Sequence, residues 1–307
     1  PVQVLEEGHV VVPAHFFAEI VRRLPNTNLM FTYDDETVTL KIEYDQAETN
    51  IKCWRGEEFP GIASLEDGKI FTINPAVFKS LVKQTGFCAN IGDPRPIFTG
   101  ALMEVESNNL TMVSTDSHRL AVKTCKVDNL TAENFKMIVP VKSLNEISRI
   151  LKDDNEDVLT IRCNDRQVSF ECKDVRLLSR LVDGVFPNYR QVIPAEYAIM
   201  MKAKKKHLQE SIDRASLFVP ERDGSSVLRF NLSDGNLNIV SKSEYGMVNE
   251  NIPVYTEGGE LSILFNAKYL TDAFKNMDFD DLDVKLGGPL SPAVFRPLND
   301  ESFLYLL

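Results

Sequence analysis

Followed for apolar spacing alone, the chain repeats one amphipathic stretch three times. The copies read VPAHFFAEIVRRL from Val12, VPVKSLNEISRIL from Val139 and FNAKYLTDAFKNM from Phe265. Ile20, Ile147 and Ala273 hold one apolar position, and Leu24, Leu151 and Met277 hold another. The spacing is helical. A period of about 127 residues is too long for a solenoid unit and suits a whole domain. Two further stretches, Ala76 to Cys88 and Lys206 to Phe218, predict a second kind of helix. Phe78, Leu81, Val82 and Thr85 face one way in the first, as Leu208, Ser211, Ile212 and Ala215 do in the second.

Alternating apolar residues follow each of these helices, in LMEVESNNLTMV from Leu102 and LRFNLSDGNLNIV from Leu228. Each flanks a Ser/Asn/Asp/Gly turn, which predicts a β-hairpin. Val105 with Leu232, Leu110 with Leu237, and Phe59-Pro60 with Phe186-Pro187 keep the same period. One repeat thus reads as helix, strands, helix and strands, and the chain as an α+β tandem array of one domain type. The expected boundaries are 1–69, 70–195 and 196–307. On this register the first copy should lack its opening half, and the last should stop inside a strand at Leu306-Leu307.

Composition narrows the class. The 307 residues are 43% hydrophobic and 26% charged, as in ordinary globular proteins. No apolar run reaches the length needed to cross a bilayer. Cys53, Cys88, Cys125, Cys163 and Cys172 include no CxxC pair, and their odd number argues against a complete disulfide framework. Reduced thiols in a cytoplasmic protein are the expectation, with no metal and no cofactor. His9, His15, His118 and His207 do not approach the cysteines at zinc-ligand spacing.

The net charge of −11 would by itself repel nucleic acid. Its distribution changes the picture. Lys79 and Lys83, Arg149 and Lys152, and Lys206, Arg214 and Lys275 form basic stripes on or beside the helices, while acids gather in turns and strands, as at 153–157. Within the threefold repeat, Glu19, Glu146 and Asp272 share one position, and Arg22, Arg149 and Lys275 another.

One motif breaks the repetition. Thr115-Asp116-Ser117-His118-Arg119-Leu120-Ala121 closes the hairpin of the second copy, whereas the third copy has Lys242-Ser243-Glu244-Tyr245-Gly246 there. A hydrolytic reading would make Ser117 the nucleophile, His118 the base and Asp116 its orienter. In an extended segment, however, consecutive side chains point to opposite faces and cannot converge.

Together with the threefold repeat and LVDGVFPNYRQVIP from Leu181, TDSHRLA makes the chain resemble the bacterial DNA polymerase III beta subunit family over essentially its whole length. The resemblance implies three similar domains, each with two inner helices backed by antiparallel sheets. It implies two chains joined head to tail as a homodimeric ring around duplex DNA, gripped without sequence specificity, and no catalysis. Twelve helices packed roughly 9 Å apart would line a hole about 35 Å across. Lys79, Lys83, Arg149, Lys152, Lys206, Arg214 and Lys275 become candidates for DNA proximity, and a fragment lacking half a domain is not expected to close the ring. A groove between the second and third domains is expected to take short linear peptides of the replicative polymerase, the clamp loader and repair factors. Arg95, Phe98, Thr115, Ser117, His118, Arg119 and Leu120 would line it from the second domain. Pro187, Gln191 and Val192 follow from FPNYRQV, Asn266 and Tyr269 from FNAKY, Leu290 and Pro292 from GPLSPAV, and Leu306 and Leu307 from the last strand. Ser117 departs from a glycine common in the family, and Gln191 from an arginine found in some members. Thr49, Ile51, Leu217 and Phe218 match the family's dimer contact, although Leu217 and Phe218 could instead finish a core helix.

Overall fold

The computed structural model describes residues 2–59, 65, 67–152, 157–219 and 226–307. Pro60 of the Phe-Pro repeat and the acidic run at 153–156 lie outside them. Among the described residues five α-helices are formed: α1 (Ala14–Arg23), α2 (Pro75–Gly86), α3 (Val141–Ile150), α4 (Lys205–Ser216) and α5 (Ala267–Asn276). The threefold motif gives α1, α3 and α5, each of 10 residues, and the twofold motif gives α2 and α4, each of 12. Equal lengths at equal phase are what a duplicated apolar pattern dictates.

The chain divides into two compact units, Pro1–Ser64 and Leu65–Leu307. In the first, strands Met30–Asp34, Thr39–Tyr44 and Ala47–Lys52 form an antiparallel sheet. Leu40, Ile42 and Ile51 are its buried core, and Phe17, Ile20 and Leu24 of the α1 segment pack against them.

The second unit contains both later copies. In the earlier one, Phe78, Leu81 and Val82 of α2 and Leu144 and Ile147 of α3 are buried with Met103, Phe71 and Phe170 from two sheets. In the later one, Leu208 and Ile212 of α4 and Leu270 and Phe274 of α5 meet Phe230, Ile239 and Phe295 in the same way. Both expected hairpins form. Val105 pairs with Leu110 and Leu232 with Leu237, each pair at the same place beside its turn. The copies do not separate because they share a nine-stranded antiparallel sheet. Strand Leu120–Lys126 of one pairs with Phe303–Leu306 of the other, putting Leu120 opposite Leu306.

Candidate partner-binding site and helix cations

TDSHRLA is a turn rather than an extended run. Strand Asn109–Thr115 enters it and Leu120–Lys126 leaves it. One carboxylate oxygen of Asp116 accepts the backbone N–H of both His118 and Arg119 at 3.0 Å. Thr115 Oγ1 donates to the Arg119 carbonyl at 2.7 Å and accepts from the Ser117 N–H at 3.1 Å. Ser117 sits at φ 73°, in the left-handed region. Short oxygen-bearing side chains that satisfy their own backbone are the standard means of closing such a turn. The expectation of alternating faces therefore fails here, but the conclusion about hydrolysis stands for a different reason. Asp116 spends its other oxygen on Arg119 Nε at 3.0 Å, Ser117 Oγ donates to the Asp116 carbonyl, and the His118 ring stacks on Tyr269 at 6.3 Å. No proton relay joins the three.

Arg119 is the centre of the site. Its side chain, 9% exposed, donates to Asp116, to Asp272 of α5 at 2.9 Å and to the Phe87 carbonyl at 3.1 Å. Its guanidinium lies 4.6 Å from the centroid of the Tyr269 ring, and the Tyr305 hydroxyl donates to the Tyr269 carbonyl at 3.0 Å. Burial pulls the Arg119 pKa down, but the hydrogen bond it donates to Asp272 and the neighbouring Cys88, Tyr305 and Asp116 more than reverse that and raise it. Burial pushes the nearby Cys88 thiol well up, so it stays protonated.

The other expected groove residues fall into three settings. Arg95 rests 4.2 Å over the Phe98 ring, reaches Ser117 Oγ at 3.4 Å, and pairs with Asp93, whose carboxyl it holds down at about 2. Leu120 and Leu306 belong to a buried apolar layer with Leu102, Val294 and Tyr189, against which Ile193 packs. Leu307 continues the sheet by bonding Ala293 in both directions. Asn266 caps α5, its side chain accepting the Tyr269 N–H at 3.2 Å. Gln191 and Val192 are exposed on the short turn Tyr189–Val192, Pro292 is half-buried and Leu290 is wholly exposed. Pro187 lines a cavity of about 930 Å³ with Leu102, Ile138 and Tyr189, which also belong to that apolar layer. The structure thus gathers Arg95, Thr115, Ser117, His118, Arg119 and Tyr269 around one turn, with Leu120 and Leu306 in the adjoining apolar layer. Asp272 and Phe87 belong to this cluster and were not foreseen. The repeated acid position was the signal for Asp272.

Most of the proposed DNA-facing cations have local partners. Lys83 pairs with Asp278, Arg149 with Glu146 at 2.6 Å, Arg214 with Glu250 at 2.6 Å and Lys206 with Glu210 at 4.0 Å. Lys79 donates to the Leu151 carbonyl at 3.3 Å. Lys152 and Lys275 are exposed. Exposed ion pairs of this kind contribute little to stability.

Ile51 is 6% exposed and its side chain belongs to the core of the first unit, which is where it departs from a contact residue. Thr49 is half-buried on the outer strand Ala47–Lys52. Leu217, 80% exposed, does not finish a core helix, and the Phe218 ring lies so close to Gly246 that a Cβ there would come within 2.8 Å of it. Strand Gly246–Pro253 is likewise an outer strand of its sheet. Among the described residues no cluster of His, Cys, Asp or Glu could hold a metal ion, and no helix is long and apolar enough to cross a membrane.

Comparison with known proteins covers almost the entire chain. Residues 2–63, 72–188 and 190–307 match the N-terminal, central and C-terminal domains of the DNA polymerase III beta subunit. The beta sliding clamp of Staphylococcus aureus is 32% identical over 308 residues, spanning 100% of this chain and 81% of that protein. The DNA polymerase sliding clamp of Bacillus subtilis superposes with a TM-score of 0.92 at 32% identity, over 99% of this chain and 80% of that one. The DNA polymerase III beta subunit of Thermotoga maritima does so at 0.85 and 27% identity, over 100% and 82%.

Proposed function

The chain belongs to the DNA polymerase III beta subunit family, the bacterial sliding clamps, and from that membership we propose which of its surfaces perform each task. Members of this family are non-catalytic: they bind DNA and the polymerase, form dimers and keep the polymerase on its template. In this chain the partner site is the TDSHR turn with Arg95 and Tyr269, and Leu120 and Leu306 form its apolar floor. It receives short linear peptides from the polymerase, and from the clamp loader and repair factors in turn. Aromatic and aliphatic surfaces there would supply affinity, and the few polar groups would fix the peptide backbone.

The observation that carries this reading is where the repetition breaks. TDSHRLA exists in one copy only, and its Arg119 reaches across to the helix of the next copy. Domains with limits near 1–69, 70–195 and 196–307 would then each have one role in the ring, in the cytoplasm. Helix cations that meet phosphates without entering a groove give sequence-independent contact, as sliding requires. Lys152 and Lys275 are available at once, and Lys79, Lys83, Arg149, Lys206 and Arg214 on exchanging their partners. The outer strands Ala47–Lys52 and Gly246–Pro253 offer unpaired backbone edges to a second chain, with Thr49, Leu217 and Phe218 beside them and Ile51 supporting from the core.

Retention on DNA tests the clamp reading. After loading by its clamp loader, the full-length protein should remain on closed circular DNA for minutes and leave as soon as the circle is cut. Equal lifetimes on circular and linear DNA would rule out encirclement and leave a peptide-binding scaffold.

A further inference from the structure

The acid of the repeated helix motif has changed partner in the third copy, and this inference rests on the peptide-site reading above. In the first two copies that acid bonds the base one turn ahead on its own helix. Glu19 meets Arg22 at 2.8 Å and Glu146 meets Arg149 at 2.6 Å. The third copy has Asp272, one methylene shorter, and it bonds Arg119 of the preceding copy at 2.9 Å, 153 residues away in sequence.

That exchange leaves Arg119 held on three sides. Asp116 takes Nε, Asp272 takes one terminal nitrogen and the Phe87 carbonyl takes the other. A planar guanidinium with its edge donors occupied has a fixed plane. The Tyr269 ring lies on one of its surfaces, and the His118 ring is stacked on Tyr269 with 24° between planes. Asp116 and His118 belong to the same turn as Arg119, so without Asp272 the turn would keep its own closure. What would go is the tie between that turn and α5, which carries Tyr269.

We propose that Asp272 is a positioning residue of the peptide site: by holding Arg119 from the neighbouring domain, it sets the Arg119–Tyr269–His118 stack that a bound peptide meets. Asp272 does not itself touch the peptide. It acts through Arg119, and the site is competent only while the second and third domains keep this register. A merely structural ion pair would alter stability and leave both the stack and the affinity of the folded protein unchanged.

Calorimetry on the full chain tests this, with a synthetic linear peptide derived from the replicative polymerase. Asp272→Ala is expected to weaken binding about 10-fold, equivalent to about 1.4 kcal/mol. Asp272→Asn, which keeps the shape, should fall between it and the parent. Arg119→Ala combined with Asp272→Ala should cost no more than Arg119→Ala alone, the signature of one coupled unit. In the alanine variant the ring protons of His118 should lose the ring-current shift imposed by Tyr269. Parental affinity and an unmoved His118 signal in both Asp272 variants would overturn the proposal. If Asp272→Ala fails to fold, Asp272→Asn decides by the same two readouts. Absence of peptide binding by the parent, or unaltered binding by Tyr269→Ala, would instead remove the site on which the proposal rests.

Discussion

Ser117 holds a left-handed backbone at φ 73° in the middle of the TDSHR turn. A side chain there costs about 1–2 kcal/mol relative to the right-handed region, a penalty glycine escapes. The resemblance implies a glycine here, and the left-handed backbone gives that residue a physical reason. Ser117→Gly should therefore raise stability by about 1 kcal/mol, read as a higher denaturation midpoint at unchanged slope; a lower midpoint would mean that the Ser117 Oγ bonds to the Asp116 carbonyl and to Arg95 matter more. The sequence carried this information only as a departure from a pattern. It carried the bond from Arg119 to Asp272 still less, because nothing local joins residues so far apart. The pairs Glu19–Arg22 and Glu146–Arg149 were legible, since their partners lie on adjacent turns of one helix.

At the scale of elements, helices were the most legible, because one apolar stripe repeated at one phase leaves little choice. Their ends were less so. Asn266 was read as a groove residue, yet its side chain caps α5, whereas Pro13 and Pro140 at the equivalent starts of α1 and α3 provide no side-chain cap. A cap of this type is worth about 1 kcal/mol. Asn266→Ala should cost that much in thermal or chemical denaturation, while Asn266→Asp should cost almost nothing. An equal loss in both would place the role of Asn266 elsewhere. The TDSHR turn was misread as extended because its apolar neighbours on both sides alternate, and that period obscures four polar residues which close on themselves. Ile51 shows the complementary difficulty: a period-2 pattern marks one side of a strand as apolar, but not whether a core or a partner covers it.

The second and third copies are joined by two kinds of bond: a shared sheet, and polar ties from α5 and the residues after it. One tie is Asp278, which accepts from Lys83 and from Gln84 at 3.2 Å. Burial would raise the Asp278 pKa, but those two hydrogen bonds reverse the effect and leave it below its ordinary 3.8. A carboxyl lowered on folding contributes its stability in full above pH 3.8, and loses it as pH falls through the folded value. Asp278→Asn should thus lower stability at pH 7 by about 0.5 kcal/mol, reduced by the partial exposure of the pair. The deficit should vanish towards pH 3 in urea titrations. A deficit of the same size at both pH values would show that charge is not its source.

The shared sheet has a consequence in time. Its joining strands, Leu120–Lys126 and Phe303–Leu306, lie far apart in the chain. On a ribosome adding 5–20 residues per second, the first strand would wait roughly 10–40 s for the second to be made. Throughout that interval its backbone edge, with Leu120 at one end, stays open to any other nascent strand that meets it. The newborn protein is therefore most in need of a chaperone between the synthesis of its second domain and that of its last strand.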